Sequence, residues 1–255
     1  MPMIVPLRNE LQAGKTAFGV WNTLPGTALV RTIASTPGIS WVVIDAEHGQ
    51  LNDTNIYEHA TAIASQGVSP IVRIPVDDAW WIKRALDSGA HGIVIPLAHN
   101  APTVRAVVRA SKYPPIGIRG FGPMYTHHAF PGCTSQQYKE GADANTLVIV
   151  QIESKEGLAN VEEIAQIDGL DVLFIGPYDL SLSLGTPFGS TEHEDAIQRI
   201  LAAAHKFGKK AAIYCTSGEL ARTRAAQGFD MVSVVTDVDI LSQAISAHVN
   251  EARKP

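Results

Sequence analysis

The chain has 255 residues, 45% of them hydrophobic and 18% charged, which is enough apolar material for a sizeable buried core. A formal charge of −5 with no long basic run argues against nucleic acid or an anionic membrane as the main partner, because both need clustered Lys and Arg. Its two cysteines, Cys133 and Cys215, lie far apart with no ligand-like spacing, so neither a zinc site nor a disulfide framework is expected and a reducing compartment fits.

In chain order, the first β-rich run covers Ala17 to Trp21 and the second Trp41 to Asp45. A helical segment from Asn55 to Ser65 leads to a third run, Pro70 to Ile74, and another from Trp80 to Ser88 leads to a fourth, Gly92 to Pro96. The phrase ALDSGAHGIVIP shows such a join: helix, glycine stop, strand. After a helix over Pro102 to Ala110 the pattern breaks. Ser111 to Asn145 is rich in Pro and Gly and too long for a simple connector, so a functional loop is expected there. Runs at Leu147 to Glu153 and Asp171 to Gly176 flank a helix from Asn160 to Ile167. Runs at Lys210 to Tyr214 and Asp230 to Val235 follow helices over Glu194 to Phe207 and Glu219 to Ala226.

Most of these eight runs are continuously apolar rather than alternating, as expected of parallel strands buried on both faces. Eight strands alternating with helices predict an α/β protein, a closed (β/α)8 TIM barrel in a single domain over residues 1–255, in preference to an open doubly wound sheet. The N-terminal MPMIVPLRNELQAGK has no apolar stretch long enough for a signal sequence, and no window approaches a bilayer span. The cytoplasm is therefore the expected location.

Such a barrel carries its chemistry at the C-terminal ends of its strands. The first run ends at Trp21, the second at Asp45 followed by Glu47 and His48, and the third at Arg73. The fifth ends at Gln151 and Glu153, and the sixth leads into Gly176-Pro177-Tyr178-Asp179. Glu153 and Asp179, two carboxylates with open positions between them, suit a hard octahedral divalent cation such as Mg²⁺ or Mn²⁺. A 2-oxo acid chelates such a cation through its carboxylate and keto oxygens, and the cation then stabilises an enolate as a Lewis acid. Arg73 is placed to neutralise the same oxygen. His48 is the candidate proton carrier because imidazole titrates nearest neutral pH, and Asp45 would set its tautomer where the two side chains meet. Structural roles compete with each of these. Glu47 either holds a water on the cation or makes a surface ion pair, His127 and His128 read as a solvated loop pair, and Trp80-Trp81 reads as packing or subunit contact.

Seven phrases in order, FGVWNTLPG, WVVIDAEHG, PIVRIP, ALDSGAHGIVIP, GIRGFG, QIES and FIGPYDLSLSLG, run through nearly the whole chain. Through them the sequence resembles the class II, metal-dependent pyruvate aldolases typified by 4-hydroxy-2-oxoheptanedioate aldolase, grouped with the citrate lyases, with the fungal macrophomate synthase as a relative. The resemblance implies a barrel of the phosphoenolpyruvate/pyruvate type. It implies a lyase that cleaves 4-hydroxy-2-oxo acids reversibly to pyruvate and an aldehyde, with oxaloacetate decarboxylation as a side activity and Mg²⁺, Mn²⁺ or Co²⁺ as cofactor. Glu153 and Asp179 would be the metal ligands, and His48 with Asp45 the acid/base pair. Arg73, Gln151, Tyr178, Asp179 and Trp21 would bind substrate, and Arg119 would face the aldehyde side. The backbone amides of Tyr178 and Asp179 would receive the carboxylate, since Pro177 has no N–H. A homo-oligomer, hexamer or trimer, is also implied, with Asp87 entering a neighbour's site and Glu47 in support.

Two departures bear on the acceptor. Tyr178 stands where the family often has a small or amide side chain, and GFGPMYTHHAF is bulkier than the loop of bacterial sugar-acid aldolases. Two other readings compete: an oxaloacetate decarboxylase of the macrophomate synthase kind, and a barrel that binds a 2-oxo acid without catalysis. Acyl-coenzyme A has no evident adenine-stacking groove here, and the loops CTSGE and VTDVD, Ser217 and Gly218 apart, lack a Gly-rich phosphate cradle.

Overall fold

The computed structural model describes residues 3–255; Met1 and Pro2, at the start of the segment read above as lacking a signal sequence, lie outside the described residues. The elements run α1 (Pro6–Gln12), β1 (Ala17–Asn22), α2 (Thr27–Ala34), β2 (Trp41–Asp45), α3 (Asp53–Ala64), β3 (Ser69–Arg73), α4 (Ala79–Asp87), β4 (Gly92–Ile95), α5 (Ala101–Ser111), α6 (Ser135–Asn145), β5 (Leu147–Ile152), α7 (Lys155–Ala159), α8 (Val161–Ala165), β6 (Val172–Ile175), α9 (Pro177–Leu184), α10 (Thr191–Lys206), β7 (Lys210–Ile213), α11 (Gly218–Ala226), β8 (Met231–Thr236) and α12 (Asp237–Ala252). All eight strands pair in parallel with their sequence neighbours, and β8 pairs with β1 to close a TIM barrel. The expected strands stand, with ends displaced by one residue in most cases.

Strand periodicity decides which residues meet. Side chains alternate between the barrel interior and the helical shell. Trp41, Val43, Ile71, Ile149 and Phe174 form one apolar cluster, and Val42, Ile44, Val72, Val150 and Ile175 belong to the other. Carrying the interior parity upward sends Asp45, Arg73, Gln151 and Glu153 into the barrel mouth. Gly19 has the same parity as Trp41 demands: a Cβ there would lie 2.1 Å from the Trp41 ring, so glycine lets that indole fill the floor.

The segment from 111 to 145 is not loop throughout. It holds a short 3₁₀ turn at Thr126–Ala129 and then α6, started by Thr134 and Gln137, whose side chains each accept from the other's backbone N–H. The helix expected over Asn160 to Ile167 is instead two short pieces, α7 and α8, meeting at Asn160, whose amide donates to the His99 carbonyl at 2.9 Å. On α12, Val238, Leu241, Ile245 and Val249 share one face and all are exposed. No helix among the described residues is long and apolar enough to cross a membrane.

His91 gives the fold an acid limit. Its ring stacks on Phe130 at 4.4 Å; Nε2–H donates to the Ala129 carbonyl at 2.8 Å, and Nδ1 takes the Ser69 hydroxyl at 3.2 Å. Burial lowers its pKa to about 4, against about 6.5 in the unfolded chain. The unfolded state therefore binds the proton more tightly, so the stability tied to neutral His91 is complete above pH 6.5 and is lost as pH falls toward 4. That loss is worth about 3 kcal/mol. Urea midpoints measured across this window should fall steadily, and less steeply in His91→Gln; identical slopes would mean that the ring takes up its proton without unfolding.

Candidate active site

A cavity of about 230 Å³ opens at the C-terminal mouth of the barrel, lined by residues at or beyond the ends of every strand but β4. Trp21 comes from β1, Asp45 from β2, Arg73 from β3, Gln151 from β5, and Glu153 directly follows β5. His48 comes from the β2 loop, and Tyr178 and Asp179 from the first turn of α9. Asp45 and Arg73 are register partners on adjacent strands, which puts their side chains side by side. Arg73 donates to Asp45 from Nε at 2.9 Å and from one terminal nitrogen at 2.6 Å, and its other terminal nitrogen lies 2.9 Å from Glu47. The guanidinium sits 4.9 Å over the Trp21 ring, and the Trp21 N–H donates to Asp45 at 2.9 Å. Burial alone would raise the Asp45 pKa, but the hydrogen bonds and charge of Arg73 outweigh it and hold the carboxyl below its ordinary value.

Glu153 is 4% exposed, and burial with the nearby Asp179 charge raises its pKa to about 7, against the pull of the Leu97 N–H. That N–H donates to Glu153 at 2.8 Å from a residue held at φ 50°, a backbone strain placed at the site itself. The Gln151 amide donates to the other Glu153 oxygen at 2.8 Å. Gly176 makes room for this carboxylate: a Cβ there would lie 2.0 Å from that oxygen. Among the described residues no group of three or more His, Cys, Asp or Glu could cage a metal. The donor set still fits a hard divalent cation. Two acids, Glu153 and Asp179, border one cavity and leave open coordination positions, and the buried Oε1 of Gln151 lacks a donor that a cation's hydration water would supply.

Some expectations need correction. Asp45 meets His48 only through the backbone N–H, at 3.2 Å; its oxygens are taken up by Arg73, Trp21 and the turn. The carboxylate near the His48 ring is Glu47, 3.8 Å from Nε2. Arg119 does not line this cavity. Its fully buried guanidinium is held by Asp87 at 2.7 Å and the Tyr138 hydroxyl at 3.0 Å, over the Tyr113 ring, on a segment whose Ile118 and Arg119 N–H groups donate to Arg109 and Lys112 at the end of α5. Asp87, expected at a neighbour's site and not at this chain's own cavity, is its partner. His128 accepts or donates at Tyr57 OH, 2.8 Å away, and so is tied to α3. Four lining residues were not anticipated: Thr23, Tyr214, Thr236 and Asp239. Thr23, Tyr214 and Thr236 directly follow or end a strand, so strand-end position was the available signal, but a hydroxyl there reads as a loop residue; Asp239 lies in the first turn of α12.

Residues 18–244 match the family described as HpcH/HpaI aldolase/citrate lyase. The chain belongs to this family. A hydroxypyruvate/pyruvate aldolase of Rhizorhabdus wittichii is 35% identical over 244 residues, covering 94% of this chain and 95% of that one. A solved HpcH/HpaI aldolase/citrate lyase family protein from Burkholderia cenocepacia superimposes with a TM-score of 0.91 at 31% identity, over 98% of this chain and all of that one. Macrophomate synthase superimposes with a TM-score of 0.86 at 28% identity, over 97% and 88% of the two chains. As a member of the HpcH/HpaI aldolase/citrate lyase family, the protein is a carbon–carbon lyase of the aldolase type.

Proposed function

We propose that this barrel mouth binds a divalent cation through Glu153 and Asp179, with a 2-oxo acid beside it, and cleaves 4-hydroxy-2-oxo acids reversibly to pyruvate and an aldehyde. The observation that carries the reading is the convergence of Glu153, Asp179, Arg73 and His48 on one cavity. When bound, the cation supplies Lewis-acid stabilisation of negative charge at the 2-oxo group. The N–H groups of Tyr178 and Asp179, at the start of α9, receive the substrate carboxylate where the helix dipole favours an anion. Arg73, locked by Asp45 and Glu47, faces the keto oxygen and needs no rearrangement as charge grows there. Trp21 and Gln151 complete the floor.

His48 takes the proton from the 4-hydroxyl. The bond between the third and fourth carbons then breaks, its electron pair passes to the third carbon and the keto oxygen, and the aldehyde leaves. Protonation of the third carbon gives pyruvate. Decarboxylation of oxaloacetate reaches the same enolate without a hydroxyl to deprotonate, and the likeness to macrophomate synthase supports it as the second reading. His48→Ala should therefore cost aldol cleavage about a hundredfold while oxaloacetate decarboxylation falls severalfold at most. Equal losses in the two assays would remove the role given to His48. The deciding assay for the whole reading is pyruvate release from both substrate classes by metal-stripped protein resupplied with Mg²⁺, Mn²⁺ or Co²⁺. Full activity without metal would sink it, and silence throughout would leave a barrel that only binds.

We further propose that the protein works in the cytoplasm, where its buried, unpaired Cys133 and Cys215 would stay reduced. It is also proposed to act as a homo-oligomer, hexamer or trimer. Exposed apolar residues support this: the α12 face, and Trp80, Phe121, Met124 and Tyr125 on and beyond α4. Light scattering should return a multiple of 27.3 kDa; a monomer at micromolar concentration would rule it out.

A further inference from the structure

We infer that the acceptor side of the pocket is built for an uncharged aldehyde and disfavours aldehydes that carry a carboxylate, with Asp239 setting the preference. The inference rests on the aldolase reading and names the acceptor class it leaves open. The donor 2-oxo acid occupies Arg73, the start of α9 and the two acids. What remains for the acceptor is the rim formed by Tyr178, Tyr214, Thr23, Thr236 and Asp239. Tyr178 lies stacked on Phe188 at 4.6 Å and 19°, with Tyr214 edge-on to it at 6.2 Å and to Trp21 at 5.4 Å. These rings offer an apolar wall, and the mutually hydrogen-bonded hydroxyls of Tyr214 and Thr236 offer a neutral polar one.

Charge decides between acceptors. Four carboxylates line the cavity: Arg73 offsets Asp45, and the cation of the aldolase reading would offset Glu153 and Asp179, which leaves Asp239 without a counter-charge. Asp239 has no hydrogen-bond or ion-pair partner among the described residues. Two positions away, the buried Asp237 is held by Asn22, Thr23, Leu24 and Val238, and none of these is a cation. His48 is committed to the proton of the 4-hydroxyl, at the reacting end of the acceptor and not at its tail. A carboxylate tail reaching this rim would meet the Asp239 charge with no free cation beside it, whereas an uncharged tail meets rings and hydroxyls.

The test compares 4-oxobutanoate with its methyl ester as acceptors for pyruvate, using the metal-loaded enzyme. The pair differs in charge at nearly constant length. The ester should show kcat/KM higher by about tenfold or more, and the gap should narrow as salt is raised. Asp239→Asn should close the gap about three- to tenfold, through a lower KM for 4-oxobutanoate. A preference for 4-oxobutanoate, or an unchanged gap in Asp239→Asn, overturns the inference. Metal-dependent exchange of the pyruvate methyl hydrogens in deuterated water needs no acceptor and is run alongside. Exchange without discrimination defeats the acceptor assignment alone; no exchange defeats the aldolase reading and the acceptor assignment with it.

Discussion

Glu153→Gln lowers metal-supported turnover by at least about a thousandfold, the expected cost of losing several kcal/mol of charge stabilisation by the cation. The substitution keeps the shape and leaves an oxygen to accept the Leu97 N–H, so the buried site stays filled while its charge is gone. Mn²⁺ binding, followed by calorimetry, should weaken in parallel, and thermal unfolding should stay close to that of the parent protein. Asp179→Asn should behave the same way. A Glu153→Gln variant that retains more than a tenth of its activity, or parent protein that is equally active after chelation, would exclude the pair as metal ligands.

Arg73→Lys carries the second large effect, about a hundred- to a thousandfold in kcat, the range seen when a donor to a developing oxyanion is removed. Lysine keeps the charge, but a single ammonium cannot span Asp45 and Glu47 while also facing the substrate oxygen, as the planar fork of Arg73 does. Asp45, 1% exposed, then keeps an opposite charge but loses one of its two hydrogen bonds from Arg73, so stability should drop by about 1–3 kcal/mol as well. Assays well below the new melting point separate the two losses. Arg73→Lys with normal kcat in folded protein would make the arginine purely a strut.

The fold was legible because buried parallel strands leave continuous apolar runs, and the polar residues at the C-terminal ends of those runs picked out Asp45, Arg73, Gln151 and Glu153. Helices were harder. The α6 segment hides its start in a reciprocal Thr134 and Gln137 cap inside a stretch dominated by Pro and Gly, and α12 was not anticipated at all. Contacts across the mouth were least legible. Spacing put Asp45 three residues from His48, but not the fact that Arg73 and Trp21 would claim both Asp45 oxygens. Arg119 was assigned to the substrate by likeness, and only the packing of its segment shows it sealed beside Asp87 and Tyr138.

The pairing of β8 with β1, clamped where Asp237 holds the end of the first strand, sets an order on synthesis. A nascent chain that has reached β7 already contains the carboxylates and the arginine of the donor side, but it is an open sheet with two unpaired edges. Such edges recruit other strands. Premature termination just before β8 should therefore yield an aggregating polypeptide rather than a weakened enzyme, because the last strand to leave the ribosome is the one that turns a sheet into a closed ring.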